Sequence, residues 1–136
     1  MKNPARRGTT IAHIGIAVRD LDAILPFYRN VLGLEQVPLD DSDGARIVGL
    51  AAGESLVELL ESSDPASPIG KFVAGRGPGI HHVCFSVDDL DAALERCRTA
   101  GLRLIDQTPR VGAEGKRIAF IHPSSTGGVL VELSEY

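Results

Sequence analysis

HIGIAVRDLDA at residues 13–23 returns at residues 82–92 as HVCFSVDDLDA, in one register, with His, Val, Asp, Leu, Asp and Ala kept in place. A second echo follows in each half: GESLVELLE at 53–61 and GGVLVELSE at 127–135. The chain therefore reads as one unit written twice. Each copy opens a strand with a histidine, His13 or His82, and later sets a glutamate, Glu58 or Glu132, inside an apolar run. Two histidines and two glutamates at matched places suggest a metal site divided between the halves.

Working outward, Ile11–Val18 alternates as a strand, with Ile14, Ile16 and Val18 on one face and His13, Gly15 and Ala17 on the other. Asp20 is a natural N-cap for a helix of about twelve residues that ends at Gly33. Pro26 inside it should kink it or force a 3₁₀ turn. Strands follow near 35–38, 45–51 and 55–61. The second copy predicts a strand at 80–87, a helix over 89–100 closed by Gly101, and strands near 102–106, 117–122 and 129–134. Each unit is thus β-α-β-β-β, with repeat 1 at about 11–61 and repeat 2 at about 80–135. Residues 62–78, rich in Ser, Pro and Gly, form the linker, in which 68–73 could make a short helix.

One such unit covers only one face of its sheet. Two together predict an α+β fold, a single domain over residues 1–136, in which tandem βαβββ units form a curved mixed sheet around a metal-binding cup with the helices outside. The cup-facing residues after each histidine are small: Gly15 and Ala17, then Cys84 and Ser86. Small residues leave a hollow for a ligand.

Period-2 alternation puts Glu58 on a face with Leu56 and Leu60, and Glu132 with Leu130 and Ser134. An unpaired carboxylate among leucines is costly, and a divalent cation offsets that cost. His13, Glu58, His82 and Glu132 offer two imidazole nitrogens and two carboxylates, a donor set suited to Co²⁺, Ni²⁺, Mn²⁺, Fe²⁺ or Zn²⁺. A lone strand histidine is more often a hydrogen-bonded core residue; the in-register duplication is what favours ligation here. His81 competes with His82, but His13 aligns with His82 and Ala12 with His81. His122 lies outside the repeat, as a strand-end polar residue or a substrate contact.

Composition narrows the alternatives. Net charge is −4 with both signs mixed, which argues against a nucleic-acid binder and its basic face. Apolar residues make up 43% of the chain and Trp is absent, so aliphatic side chains must fill the core. Cys84 and Cys97 fall in a strand and the following helix, an arrangement that fits a reduced, cytoplasmic setting rather than a disulfide scaffold. No stretch is long enough to span a bilayer, and the first ten residues read as a loose tail without a secretory signal.

At this point the chain resembles the vicinal oxygen chelate superfamily, and within it the methylmalonyl-CoA epimerases. The resemblance runs from Ile11 to Glu135 and rests on HIGIAVRDLDAILPFY at 13–28, NVLGL at 30–34, SPIGKFV at 67–73, GIHHVCFSVDDLDAAL at 79–94 and PRVGAEGKRIAFIHPSSTGGVLVEL at 109–133. It implies an isomerase interconverting the epimers of methylmalonyl-CoA, a homodimer using a divalent metal, often cobalt, with Ni²⁺, Mn²⁺ or Zn²⁺ as alternatives. It places ligands on His13, His82 and Glu132, with Glu58 where some members have Gln. Some members carry an acid/base glutamate on the strand before the first-copy ligand strand; Ala45–Gly49 here holds no carboxylate. Glu132 is the expected base, and the second proton carrier is unassigned. For the coenzyme A moiety of the thioester, Lys71, Arg76, Arg110, Lys116 and Arg117 are scattered cations; Lys116–Arg117, beside Gly112–Gly115, are the expected anion contacts, with His122 nearby in sequence. Rival readings on the same scaffold are a glyoxalase-type lyase, an extradiol dioxygenase and a non-enzymatic ligand-binding protein.

Overall fold

The computed structural model describes residues 8–136, and its contacts divide the chain into two compact units. The first is His13–His81. The second is His82–Tyr136 together with residues 8–12. Both are α+β, and each carries the expected βαβββ order.

In the first unit, β1 (Thr10–Ala17), β2 (Glu35–Val37), β3 (Arg46–Ala52) and β4 (Ser55–Glu61) lie in the order β2-β3-β4-β1. β1 runs parallel to β4 and the other pairs are antiparallel, so the sheet is mixed. The helix α1 (Leu21–Pro26) starts where expected: Asp20 is extended and its side chain accepts the Ala23 N–H. A second carboxylate, Glu61 Oε2 from β4, accepts the Leu21 N–H at 2.6 Å. These bonds satisfy two of the donors that every helix start leaves open.

Pro26 ends the α-helix, and where the sequence offered a kink or a 3₁₀ turn the structure has a π-helical turn, Phe27–Val31. Proline has no N–H to give to the preceding turn. The chain widens after it, and Leu32 N–H reaches back five residues to Phe27 O at 3.0 Å. Leu34 N–H then closes on Tyr28 O across Gly33, which takes φ 71°. Leu21, Leu50 and Leu59, fully buried, join Val18 and Val48 under α1. Burying each leucine contributes about 1.5–3 kcal/mol.

The other face of this sheet is partly covered too. The linker forms α2 (Pro68–Arg76), longer than the expected 68–73. Ser67 caps it by accepting the Gly70 N–H, and Pro68 takes the first turn. Gly70 has no room for a side chain, since a Cβ there would meet Asp64 O at 2.1 Å. Ile69 packs with Ala17, Ala45 and Leu60. One small position expected to line the hollow, Ala17, is therefore filled over by the linker helix. The repeat helix α1 lies on the outer face as expected, and the linker helix, whose side the sequence left open, packs on the opposite face.

In the second unit, β5 (Gly79–Val87), β6 (Arg110–Val111), β7 (Arg117–Ile121) and β8 (Leu130–Glu135) lie in the order β5-β8-β7-β6, with β5 and β8 parallel. α3 (Leu90–Thr99) repeats the cap: Asp89 accepts the Ala92 N–H at 3.0 Å, and Glu135 Oε1 from β8 accepts the Leu90 N–H. Leu90, Leu94, Leu104, Ala119, Ile121 and Leu133 form its core. The strand expected at 102–106 is not formed. Leu104 makes only an isolated bridge to Ile121, and Ile105 and Asp106 both donate to Phe120 O. The Asp106 carboxylate then accepts the Phe120 N–H at 2.8 Å, doing the work of a main-chain carbonyl and ending the ladder. The pairing passes instead to Arg110–Val111.

Residues 1–7 of the expected N-terminal tail lie outside the described residues. The remainder of that stretch is tied down: Gly8 N–H donates to Asp88 Oδ2 at 3.0 Å, and Thr10, which opens β1, bonds the Tyr136 hydroxyl.

Candidate functional site

Each unit builds one buried imidazole–carboxylate pair. In the first, His13 on β1 lies in register with Leu56 on the parallel strand β4, and Glu58 follows two residues on, on the same face. His13 Nδ1 and Glu58 Oε2 are 3.1 Å apart. In the second, His82 lies in register with Leu130 on β8, and Glu132 again follows two residues on. His82 Nε2 and Glu132 Oε1 are also 3.1 Å apart. All four residues are at most 5% exposed.

The register explains why the pairs recur. A parallel strand pair with a two-residue offset sets the imidazole diagonally across from the carboxylate, within side-chain reach. Along each strand the intervening residues turn to the helix-covered face and pack there: Ile16 and Val57 in the first unit, Phe85 and Val131 in the second. His81 faces away from His82. It is partly exposed, and its ring meets Phe72 edge-on at 5.0 Å.

The spacing suits metal ligation as well as a direct hydrogen bond. Nitrogen and oxygen donors about 2.1 Å from an ion, at right angles to each other, stand about 3 Å apart. Each pair already holds that separation, and each places a carboxylate among apolar neighbours, where a cation offsets the desolvation cost. Cys84 stands in register with Glu132, and their potential ligand atoms lie within 4.8 Å. It is fully buried and, like Cys97, takes part in no disulfide among the described residues. The fit of the residues to a divalent ion is therefore good in both units.

The floors beside the two glutamates differ. Glu58 stands in register with glycine on both sides, Gly15 and Gly49. The space above Gly49 is taken by Leu39 and Val37; a Cβ there would meet Leu39 Cδ1 at 2.6 Å. Glu132 is flanked by Cys84 and Phe120. The Phe120 ring meets His82 edge-on at 5.7 Å and carries the Arg110 guanidinium 5.5 Å from its centre. Nothing in the sequence brings Arg110 to Phe120; the hairpin register sets Arg110 opposite Ile118, two residues from Phe120 on the same face.

The cations read from sequence separate. Arg117 donates to Asp91 at 3.0 Å and to Glu135 at 2.8 Å, and these bonds hold its guanidinium charged, above its ordinary range. Arg46 makes the corresponding pair with Asp22 in the first unit. Lys116 is exposed at the foot of the Gly112–Gly115 turn, where its carbonyl accepts the Gly112 N–H. His122 caps the 3₁₀ turn Pro123–Ser125, with Nδ1 accepting the Ser124 N–H at 3.0 Å. Arg76 lies over Phe72 on α2.

The chain is similar to several known proteins. Residues 12–120 match the family model described as the glyoxalase/bleomycin resistance protein/dioxygenase superfamily. The chain is 39% identical over 127 residues to the mitochondrial methylmalonyl-CoA epimerase of Bos taurus, covering 90% of this chain and 72% of that one. It is 40% identical over 128 residues to the ethylmalonyl-CoA/methylmalonyl-CoA epimerase of Cereibacter sphaeroides, covering 90% and 95%. The crystal structure of methylmalonyl-CoA epimerase from Mycobacterium tuberculosis matches with a TM-score of 0.88 at 39% identity, over 99% of this chain and 92% of that one. A methylmalonyl-CoA epimerase solved with methylmalonyl-CoA and an ammonium ion also matches at 0.88 and 39% identity, over 93% and 94%. With its duplicated βαβββ order and the two buried His–Glu pairs in matching register, the chain belongs to the glyoxalase/bleomycin resistance protein/dioxygenase superfamily and, within it, to the methylmalonyl-CoA epimerases.

Proposed function

We propose that this protein interconverts (R)- and (S)-methylmalonyl-CoA by removing and returning the α-proton, and that one divalent ion, cobalt by preference, is held jointly by His13, Glu58, His82 and Glu132. The observation that carries the reading is the pair of buried imidazole–carboxylate contacts, each 3.1 Å, at equivalent registers of the two units. Such an ion supplies the positive charge that makes a carbon between a thioester and a carboxylate acidic enough to ionise near neutral pH.

The remaining chemistry falls to the protein. Glu132 accepts the α-proton. Its carboxylate is buried and fixed by His82, so it is aimed and poorly hydrated, as a base needs to be. A second group returns a proton to the opposite face. Lys116 is assigned to a phosphate of coenzyme A. Arg117 shares that loop, but it already gives donors to Asp91 and Glu135, so its part is to hold the loop's base in place. His122, with Nδ1 engaged, contacts the coenzyme through Nε2. The protein works as a cytoplasmic homodimer; among the described residues no helix is long and apolar enough to cross a membrane.

The test is solvent deuterium uptake at the α-carbon of methylmalonyl-CoA by the metal-loaded protein, run beside methylglyoxal with glutathione. Uptake from the thioester and no product from the hemithioacetal is expected; the reverse would assign the chain a lyase activity instead. Size-exclusion chromatography with light scattering checks the dimer.

A further inference from the structure

Strand register fixes three rows of side chains on the inner face of the second unit. Arg110 opposes Ile118, Ile118 opposes Ser134, and Ser134 opposes Ser86. The next row is Phe120, Glu132 and Cys84, and the last is Leu130 and His82. Residues opposed in register share a face, so Arg110 stands on the face that carries His82 and Glu132. It is two strands and one row from Glu132, about 12 Å at the usual strand spacing and rise.

Its side chain is directed across that gap. The guanidinium lies over Phe120, and Phe120 in turn meets His82. Asp106 fixes the arrangement from behind: one carboxylate oxygen lies 3.2 Å from Arg110 Nε, while the other accepts the Phe120 N–H. The stacked, hydrogen-bonded arginine has little rotamer freedom left to lose, yet its side chain is still 38% exposed. A planar cation pre-oriented this way suits bidentate contact with a carboxylate.

We propose that Arg110 binds the free carboxylate of the acyl group, and so makes the site selective for dicarboxylic monothioesters over simple acyl thioesters. This rests on the acyl-CoA reading above. The phosphates of coenzyme A are the other anions an arginine here could meet, but they lie many bonds from the thioester, whereas Arg110 shares a face with the residues assigned to the reacting carbon.

The experiment is isothermal titration of wild type, Arg110→Ala and Arg110→Lys with malonyl-CoA, propionyl-CoA and coenzyme A, alongside metal content and thermal melting. Wild type is expected to bind malonyl-CoA more tightly than propionyl-CoA. Arg110→Ala should weaken malonyl-CoA roughly 10- to 100-fold, the range for a lost charge-assisted contact, and leave propionyl-CoA and coenzyme A within about twofold. Arg110→Lys should recover part of the loss, with metal content unchanged. Equal weakening of all three ligands would assign Arg110 to phosphate or to the fold, and no weakening of malonyl-CoA would remove it from recognition; either overturns the proposal. A wild type that neither exchanges the α-proton of methylmalonyl-CoA nor prefers malonyl-CoA would overturn the acyl-CoA reading itself, a different and recognisable failure.

Discussion

The two units hold the same imidazole–carboxylate pair in opposite surroundings. Around Glu58 the first unit is apolar and closed: Gly15 and Gly49 flank it, Leu39 and Val37 roof Gly49, and α2 covers Ala17 and Leu60. Around Glu132 the corresponding places hold Cys84, Phe120, Ser86 and Ser134, with Arg110 above the ring. What surrounds neither pair is what stayed the same. Asp20 and Asp89 cap their helices, Glu61 and Glu135 take the first helical N–H, and Arg46 and Arg117 pair with Asp22 and Asp91. Duplication kept the frame and let the two floors diverge, one lined by glycine under aliphatic side chains and one lined by Cys84, Phe120 and serine.

That division predicts unequal consequences for matched changes. Glu132→Gln should lower α-deuterium exchange about 10²- to 10⁴-fold, the usual worth of a positioned base. Glu58→Gln keeps an oxygen donor and should cost far less in the same assay. Equal losses would mean that the halves are chemically equivalent.

The frame, by contrast, should respond equally on both sides. Leu59→Ala and Leu133→Ala remove buried leucines under α1 and α3, and each should cost about 2–5 kcal/mol in urea denaturation. A loss confined to one of them would show that one unit carries the cooperative core. Gly49→Ala must displace Leu39 or Val37 and should cost about 1–3 kcal/mol by the same measurement. A neutral result would show the roof over Glu58 to be slack. The smallest effects belong to the caps: Asp20→Ala and Asp89→Ala should each cost about 1 kcal/mol. A much larger effect at Asp20 would tie the π turn after Pro26 to the cap before it.

The repeated frame was legible in the sequence because it is periodic. Identical residues in one register located β1 and β5, the capping Asp20, and in each unit the face carrying its histidine and glutamate. Features without a period were not. The two-residue strand Arg110–Val111 is too short to alternate, and Asp106 ends its neighbour with a side-chain bond that no pattern announces. The π turn follows from Pro26, but proline says only that the α-helix must stop, not which wider or tighter turn replaces it. Arg110 looked like one scattered cation among five until hairpin register set it on the same face as Glu132.

The central claim is that one ion is shared by both pairs. Titrating Co²⁺ into the metal-free protein, with its visible absorption as readout, tests it directly in wild type, His13→Ala and His82→Ala. The account predicts one equivalent per chain, and weakened binding of that same single ion whichever histidine is removed. Two equivalents bound independently, or binding that survives loss of one histidine unchanged, would contradict it.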